Sequence, residues 1–151
     1  MNDFQTLADR VEIDALRAEY TDAGMMSDFN RLASLFTPDG VLRFTHGPFE
    51  AIGRDEVRAK IEQARGHWEF FVQNTHPGAL ELDRDTAVGR AYLVEFGRFH
   101  DGRSMLNYAV YHDRYQRTPD GWKFSERVYE VRYLDHTPLA GSPSPAGVSA
   151  G

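Results

Sequence analysis

The feature that most constrains this chain is a set of three long β-prone runs in its C-terminal half, roughly Thr86–Phe99, Ser104–Arg117 and Trp122–Leu134. The links between them, His100-Asp101-Gly102 and Pro119-Asp120-Gly121, carry the residues of tight hairpins. Three long strands joined this way form an antiparallel meander, and strands of such length twist until the sheet curves and gains a concave face. The middle run reads Leu106-Asn107-Tyr108-Ala109-Val110-Tyr111-His112-Asp113-Arg114-Tyr115, with ionisable groups alternating with aromatics. Polar groups on a face that helices must cover are costly unless they are paired or used. A small-molecule site on that face is therefore the first hypothesis.

Upstream, a helix is expected from about Leu7 to Ala23, with Thr6 as N-cap and Asp9 in the capping-box position. Its apolar stripe is Ile13, Leu16, Tyr20 and Ala23. A second helix starts at Asp28 and turns Phe29, Leu32, Leu35 and Phe36 inward. Thr37-Pro38-Asp39-Gly40 reads as a turn before a short strand, Val41 to Thr45. A third helix spans about Asp55 to Arg65. Trp68 to Val72 is a strand or a pocket lip, and His76-Pro77-Gly78 a turn or bulge before a strand from Ala79 to Leu82.

This order gives an α+β fold: a curved mixed sheet, mostly antiparallel, wrapped as a barrel-like cone around three N-terminal helices. Residues 1–136 form one domain. The stretch 137–151, rich in Pro, Gly, Ser and Ala, is expected to be a flexible or loosely packed tail.

Composition narrows the function. A net charge of -6 with scattered Lys and Arg argues against nucleic acid. No run is long and apolar enough for a membrane span, and there is no signal-peptide core, so a soluble cytoplasmic protein is the expectation. With no cysteine there is neither a disulfide framework nor a thiolate. The six histidines show no metal-ligand spacing, and phosphate loops and serine elbows are absent, so no metal or other cofactor is expected.

Several segments together resemble the SnoaL-like branch of the nuclear transport factor 2 superfamily, the fold of scytalone dehydratase and ketosteroid isomerase. They are Leu7-Ala8-Asp9-Arg10-Val11-Glu12-Ile13, Asp28-Phe29-Asn30-Arg31-Leu32, Leu35-Phe36-Thr37-Pro38-Asp39-Gly40, Gly53-Arg54-Asp55-Glu56-Val57 and Asp83-Arg84-Asp85-Thr86-Ala87. Tyr111-His112-Asp113-Arg114-Tyr115 and Asp120-Gly121-Trp122-Lys123-Phe124 complete the set. The resemblance implies the cone fold and a pocket; function varies widely on this fold, from dehydratases, isomerases and polyketide cyclases to hydrolases and non-catalytic proteins. Two positions depart from the dehydratase-like pattern. Met25 stands where those members hold an aspartate, and Phe44 where they hold a pocket tyrosine.

On that resemblance His76 is the candidate for moving a proton, since imidazole titrates near neutrality. Its bland alternative is a surface histidine beside Pro77. Tyr111 and Asp113 share one strand face, so Tyr111 could stabilise an oxyanion and Asp113 could orient His76 or act as a base. Asp113 could equally be a cross-strand ion-pair partner of Arg114, Arg127 or Arg132. Glu95, between apolar neighbours, faces the pocket if Leu93 and Gly97 do, and burial would then suit it to proton transfer. Tyr20, Met25, Met26, Phe44, Trp68 and Phe71 are candidate walls, with Arg127 a candidate anchor for an anionic group.

The expected function is cofactor-free acid–base chemistry, either dehydration, isomerisation or aldol-type ring closure, on a small hydrophobic, oxygenated, cyclic metabolite. Two rivals stand beside it. One is a small-molecule binding protein without catalysis; the other is an epoxide-opening hydrolase using Glu95, Asp113 and Arg127. The convex face, with Tyr92, Val94, Phe96, Tyr108 and Val110, is expected to support a homodimer or higher homo-oligomer.

Overall fold

The computed structural model describes residues 3–144. In chain order they form α1 (Asp3–Met25), α2 (Phe29–Ser34), β1 (Phe36–Phe44), β2 (Glu50–Ile52) and α3 (Arg54–Arg65). Then follow β3 (Trp68–Asp83), β4 (Thr86–Phe99), β5 (Ser104–Thr118) and β6 (Gly121–Asp135). The six strands make one curved sheet in the order β2-β1-β6-β5-β4-β3, antiparallel except for the parallel pairing of β1 with β6. β2 and β3 are free edges, so the α+β sheet curls over the helices without closing into a barrel.

The meander follows its turns. Gly102 and Gly121 take φ of 93° and 99°, which a tight hairpin requires and an L side chain resists. Pairing in the β4–β5 hairpin is symmetric about Asp101, so Glu95 stands opposite Asn107 and Ala91 opposite Tyr111. In β5–β6 the register shifts between Arg114 and Tyr115, a bulge at Ser125. That one extra residue lets Trp122 and Phe124, then Arg127 and Tyr129, all point to the buried side. On β3 the expected break at His76-Pro77-Gly78 is a register shift between Pro77 and Leu80 inside one continuous strand.

Three local expectations are corrected. α1 begins at Asp3, so Thr6 lies inside the helix and does not cap it. Asp9 is instead buried: both Nη atoms of Arg117 donate to it at 2.8 Å, and Trp122 Nε1 donates at 3.1 Å. The acid thereby clamps α1 to the β5–β6 hairpin. Thr37-Pro38-Asp39-Gly40 does not separate a turn from a strand; it is an irregularity within β1, between the Phe36 and Val41 pairings. Asp28 does cap α2, accepting from the Arg31 backbone N–H.

The core is aromatic. Tyr20, Phe36, Tyr111, Tyr115 and Phe124 pack at centroid distances of 5.4 to 6.2 Å where α1 crosses β1, β5 and β6. Phe36 and Phe124 are fully buried, each worth about 1.5–3 kcal/mol of apolar burial. On the convex face Tyr92 and Tyr108 are exposed and Val94 and Phe96 are half-buried. Val110, expected there as surface, is 1% exposed and forms no part of an open patch.

Beyond β6 the chain is tied as far as Gly141. Leu139 N–H donates to Ser104 Oγ at 3.0 Å, and Arg98 donates to the carbonyls of Leu139 and Gly141. The tail was expected to be loose; its first residues are held to β4 and β5, and residues 145–151 lie outside the described part. No helix among the described residues is long and apolar enough to cross a membrane.

Candidate active site

Between the three helices and the concave face lies a cavity of about 300 Å³. Its walls come from each layer: Tyr20 and Met25 from α1, Phe29 and Leu32 from α2, Phe44 from β1, Ile61 from α3, Trp68 and Phe71 from β3. Trp68 stacks on Phe99 at 3.9 Å and Phe44 on Phe49 at 4.3 Å, which holds these walls in fixed orientation.

The floor is polar and is built by register. Gln73, Glu95 and Asn107 are direct cross-strand neighbours on β3, β4 and β5. Period-two alternation places all three on the concave face. Gln73 Nε2 donates to Glu95 Oε2 at 3.0 Å and to the Tyr111 hydroxyl at 3.2 Å. Asn107 Nδ2 donates to Glu95 Oε1 at 3.2 Å, and the Tyr129 hydroxyl makes a short hydrogen bond to the same oxygen. Glu95 is 7% exposed, and every donor it meets is neutral. Among the described residues it is the sole carboxylate lining the cavity.

Burial pushes the Tyr111 phenol well above its ordinary pKa, with neighbouring Tyr20 adding to the shift. Burial likewise raises Tyr129, and the Glu95 carboxylate beside it raises it further. Both therefore stay protonated at neutral pH: Tyr129 donates to Glu95, and the Tyr111 hydroxyl, which accepts from Gln73, keeps its own proton. The backbone N–H of Gln73 donates to Met25 Sδ at 3.2 Å. Methionine thus occupies the position next to the floor where the dehydratase-like pattern places an aspartate.

A second buried polar group lies off the cavity lining. Arg127, fully buried, donates to both oxygens of Asp113 at 2.8 and 3.0 Å, and the Tyr115 hydroxyl donates to Asp113 at 2.7 Å. The guanidinium is boxed by the rings of Tyr111, Phe124 and Tyr20, at 3.8, 4.3 and 4.4 Å from their centroids. Arg17 Nε donates to the same Tyr115 hydroxyl at 2.8 Å.

Of the residues expected from sequence, Glu95, Tyr111, Tyr20, Met25, Phe44, Trp68 and Phe71 line the cavity. Four others do not. His76 pairs with Tyr92 on β3 and is exposed. It is three residues from Gln73, so alternation turns it to the convex face, away from Glu95. Asp113 is taken up by Arg127 and Tyr115, with Arg127 Nη1 left unpartnered, so Asp113 does not orient His76, and neither Asp113 nor Arg127 lines the cavity beside Glu95 as a hydrolase built on the three would need. Met26, beyond the end of α1, is 70% exposed. Sequence reasoning passed over Gln73, Asn107 and Tyr129. Asn107 was within reach of counting: it and Glu95 are equidistant from the turn at Asp101. Gln73 and Tyr129 depend on where β3 and β6 bulge, which short-range pattern does not reveal.

With this geometry in hand, comparisons place it among known proteins. Residues 5–128 match the family described as SnoaL-like domain. An uncharacterised protein of Mycobacterium tuberculosis is 26% identical over 129 residues, covering 81% of this chain and 84% of that protein. The gamma-hexachlorocyclohexane dehydrochlorinase of Sphingobium indicum is 29% identical over 150 residues, covering 93% of this chain and 90% of its own. The crystal structure of a type 2 hexachlorocyclohexane dehydrochlorinase, LinA, superposes with a TM-score of 0.85 at 25% identity. It covers 97% of this chain and 100% of the other.

Proposed function

The chain belongs to the SnoaL-like domain family, within the fold of the nuclear transport factor 2 superfamily, and from that premise we propose an enzyme that removes a proton from a small, hydrophobic, cyclic substrate. One observation carries the reading. Glu95 is a nearly buried carboxylate on the polar floor of a cavity whose walls are mostly apolar, held by amide and phenol donors rather than by a cation. No arginine or lysine occupies its oxygens, so the carboxylate can be reached by a proton on a ring carbon bound in the cavity.

The reaction class that fits is elimination. The Glu95 carboxylate takes a proton from a ring carbon, the C–H electron pair becomes the π bond of a new C=C, and the leaving group departs with its own bonding pair. The departing group is an anion such as chloride, or a hydroxyl that leaves as water after receiving a proton. Gln73 and Asn107 fix the carboxylate, while Tyr111 and Tyr129 offer protonated phenols to charge that develops nearby. Isomerisation and aldol-type ring closure share the same first step. Two relatives support elimination in particular, since one named dehydrochlorinase aligns over most of the chain and another shares its fold. A second reading, a carrier pocket without turnover, draws on Met25 and Phe44, apolar walls at positions that are polar in dehydratase-like members.

The test is turnover on a panel of chlorinated and hydroxylated cyclohexanes, gamma-hexachlorocyclohexane included, read as chloride release and as product mass. Glu95→Gln should cut kcat about a hundredfold or more with KM little changed, the usual size for loss of a general base. A folded Glu95→Gln enzyme with wild-type turnover would overturn the proposal. Tight binding across the panel with no product would favour the carrier.

A further inference from the structure

Arg65, in the last turn of α3, lines the same cavity, yet among the described residues it makes no ion pair. We propose that Arg65 anchors an anionic group on the ligand, so that the molecule taken up is an amphipathic acid: an apolar ring body carrying a carboxylate or a similar anion. This rests on the proton-transfer reading above and names its substrate class.

The contrast with other arginines is the starting point. Arg31 meets three acids, Arg117 two, Arg98 meets Glu69 and Arg127 meets Asp113. Among the described residues Arg10, Arg54, Arg84 and Arg90 also make no ion pair, but of all these arginines Arg65 alone lines the cavity. Arg65 instead spends one N–H on the Trp68 carbonyl at 3.5 Å, a length at which a hydrogen bond is weak. Its guanidinium stands 5.9 Å from the Phe71 ring centroid, over the cavity wall. His46, from the β1–β2 turn, also lines the cavity and is a further donor.

Position then orients the ligand. Along β3 the order is Trp68, Phe71, Gln73, and Gln73 holds Glu95. An anion at Arg65 puts the apolar body across Phe71 and delivers a ring carbon toward Glu95, so the two charged groups of the site serve opposite ends of one molecule. The guanidinium suits this because it forks two donors onto a carboxylate while its flat face stays on an aromatic. A competing use exists, since a cation in the last turn of a helix complements the helix dipole. That use predicts no effect of Arg65 on ligand charge preference.

Two fluorescent probes with a shared skeleton separate the cases: 8-anilinonaphthalene-1-sulfonate, which is anionic, and N-phenyl-1-naphthylamine, which is neutral. Arg65→Gln should weaken the sulfonate roughly tenfold at low salt, leaving the neutral probe within about twofold. Raising the salt should narrow the gap, and Arg65→Lys should restore part of it. Ala64→Trp, which fills the cavity, should abolish both signals. Equal sulfonate affinity in wild type and Arg65→Gln would overturn the anchor, as would signals that survive Ala64→Trp. Wild-type turnover in Glu95→Gln would sink the reaction alone and leave the anchor standing.

Discussion

Two buried carboxylates, Glu95 and Asp113, sit on the same concave face and have been given opposite environments. Asp113 meets a guanidinium through two hydrogen bonds, accepts a third from Tyr115, and both members of the pair have fully buried side chains. Glu95 also accepts three hydrogen bonds, but all from neutral groups, and it opens on the cavity. A carboxylate with an arginine is already neutralised and holds strands β5 and β6 in register. A carboxylate held by amides and phenols has its orientation fixed without a counter-charge beside it. Partner chemistry, more than burial, separates the structural acid from the one offered for chemistry.

The largest expected effect breaks the structural member. Arg127→Met leaves the Asp113 charge buried without a cation, which costs about 3–5 kcal/mol, and chemical denaturation should show it as a lower midpoint with an unchanged slope. Adding Asp113→Asn should recover much of that loss, since the stranded charge goes with it. A single Arg127→Met variant as stable as wild type would mean that Asp113 is neutralised by other means.

A third acid, Asp9, tests the same rule at the rim of the fold. Hydrogen bonding from Arg117 holds its carboxyl down to about 2 from an ordinary 3.8, against the opposing effect of burial. The folded value is depressed, so its contribution is complete above the ordinary value and disappears as pH falls from 3.8 toward about 2. Arg117 is itself part-exposed, so solvent screening reduces the expected contribution to about 1–2 kcal/mol. The stability difference between wild type and Asp9→Asn should therefore shrink through that window. A constant difference down to pH 2 would assign the effect to packing of Trp122.

Glu95→Gln should change stability by no more than about 1 kcal/mol: weaker hydrogen bonds are offset by the removal of a desolvated charge. Its effect belongs on turnover. A loss of stability as large as that of Arg127→Met would erase the distinction between the two acids.

How far the sequence shows this division depends on the strand. The β4 and β5 boundaries, the hairpins at Gly102 and Gly121, and the shared face of Ala109, Tyr111, Asp113 and Tyr115 follow from turn chemistry and period-two alternation. Glu95 is therefore legible as a concave-face acid. The partner of Asp113 is legible only as one of Arg114, Arg127 and Arg132; Arg127 is the one, because the bulge at Ser125 turns it inward, and nothing local to Ser125 announces it. The hydrogen bonds of Leu139 and Gly141 are out of reach for a related reason: Arg98 lies 41 residues from Leu139 and 43 from Gly141, and Ser104 lies 35 from Leu139.

The smallest expected effect is at His76, and it bears most directly on how the site is understood. Histidine is the usual proton carrier near neutral pH, and this one stands three residues from the pocket floor in sequence. That spacing is odd, so the pleat of β3 turns Gln73 toward Glu95 and His76 toward the convex side, where it is exposed. A side chain on the far face of a strand does not come within the roughly 3 Å that proton transfer to a bound substrate needs. His76→Ala should accordingly leave turnover within about twofold and stability within about 0.5 kcal/mol, as for an ordinary surface substitution. Should turnover on an accepted substrate fall a hundredfold in a natively folded His76→Ala variant, the proton would have to travel by a route outside the cavity described, and Glu95 would lose its place as the base.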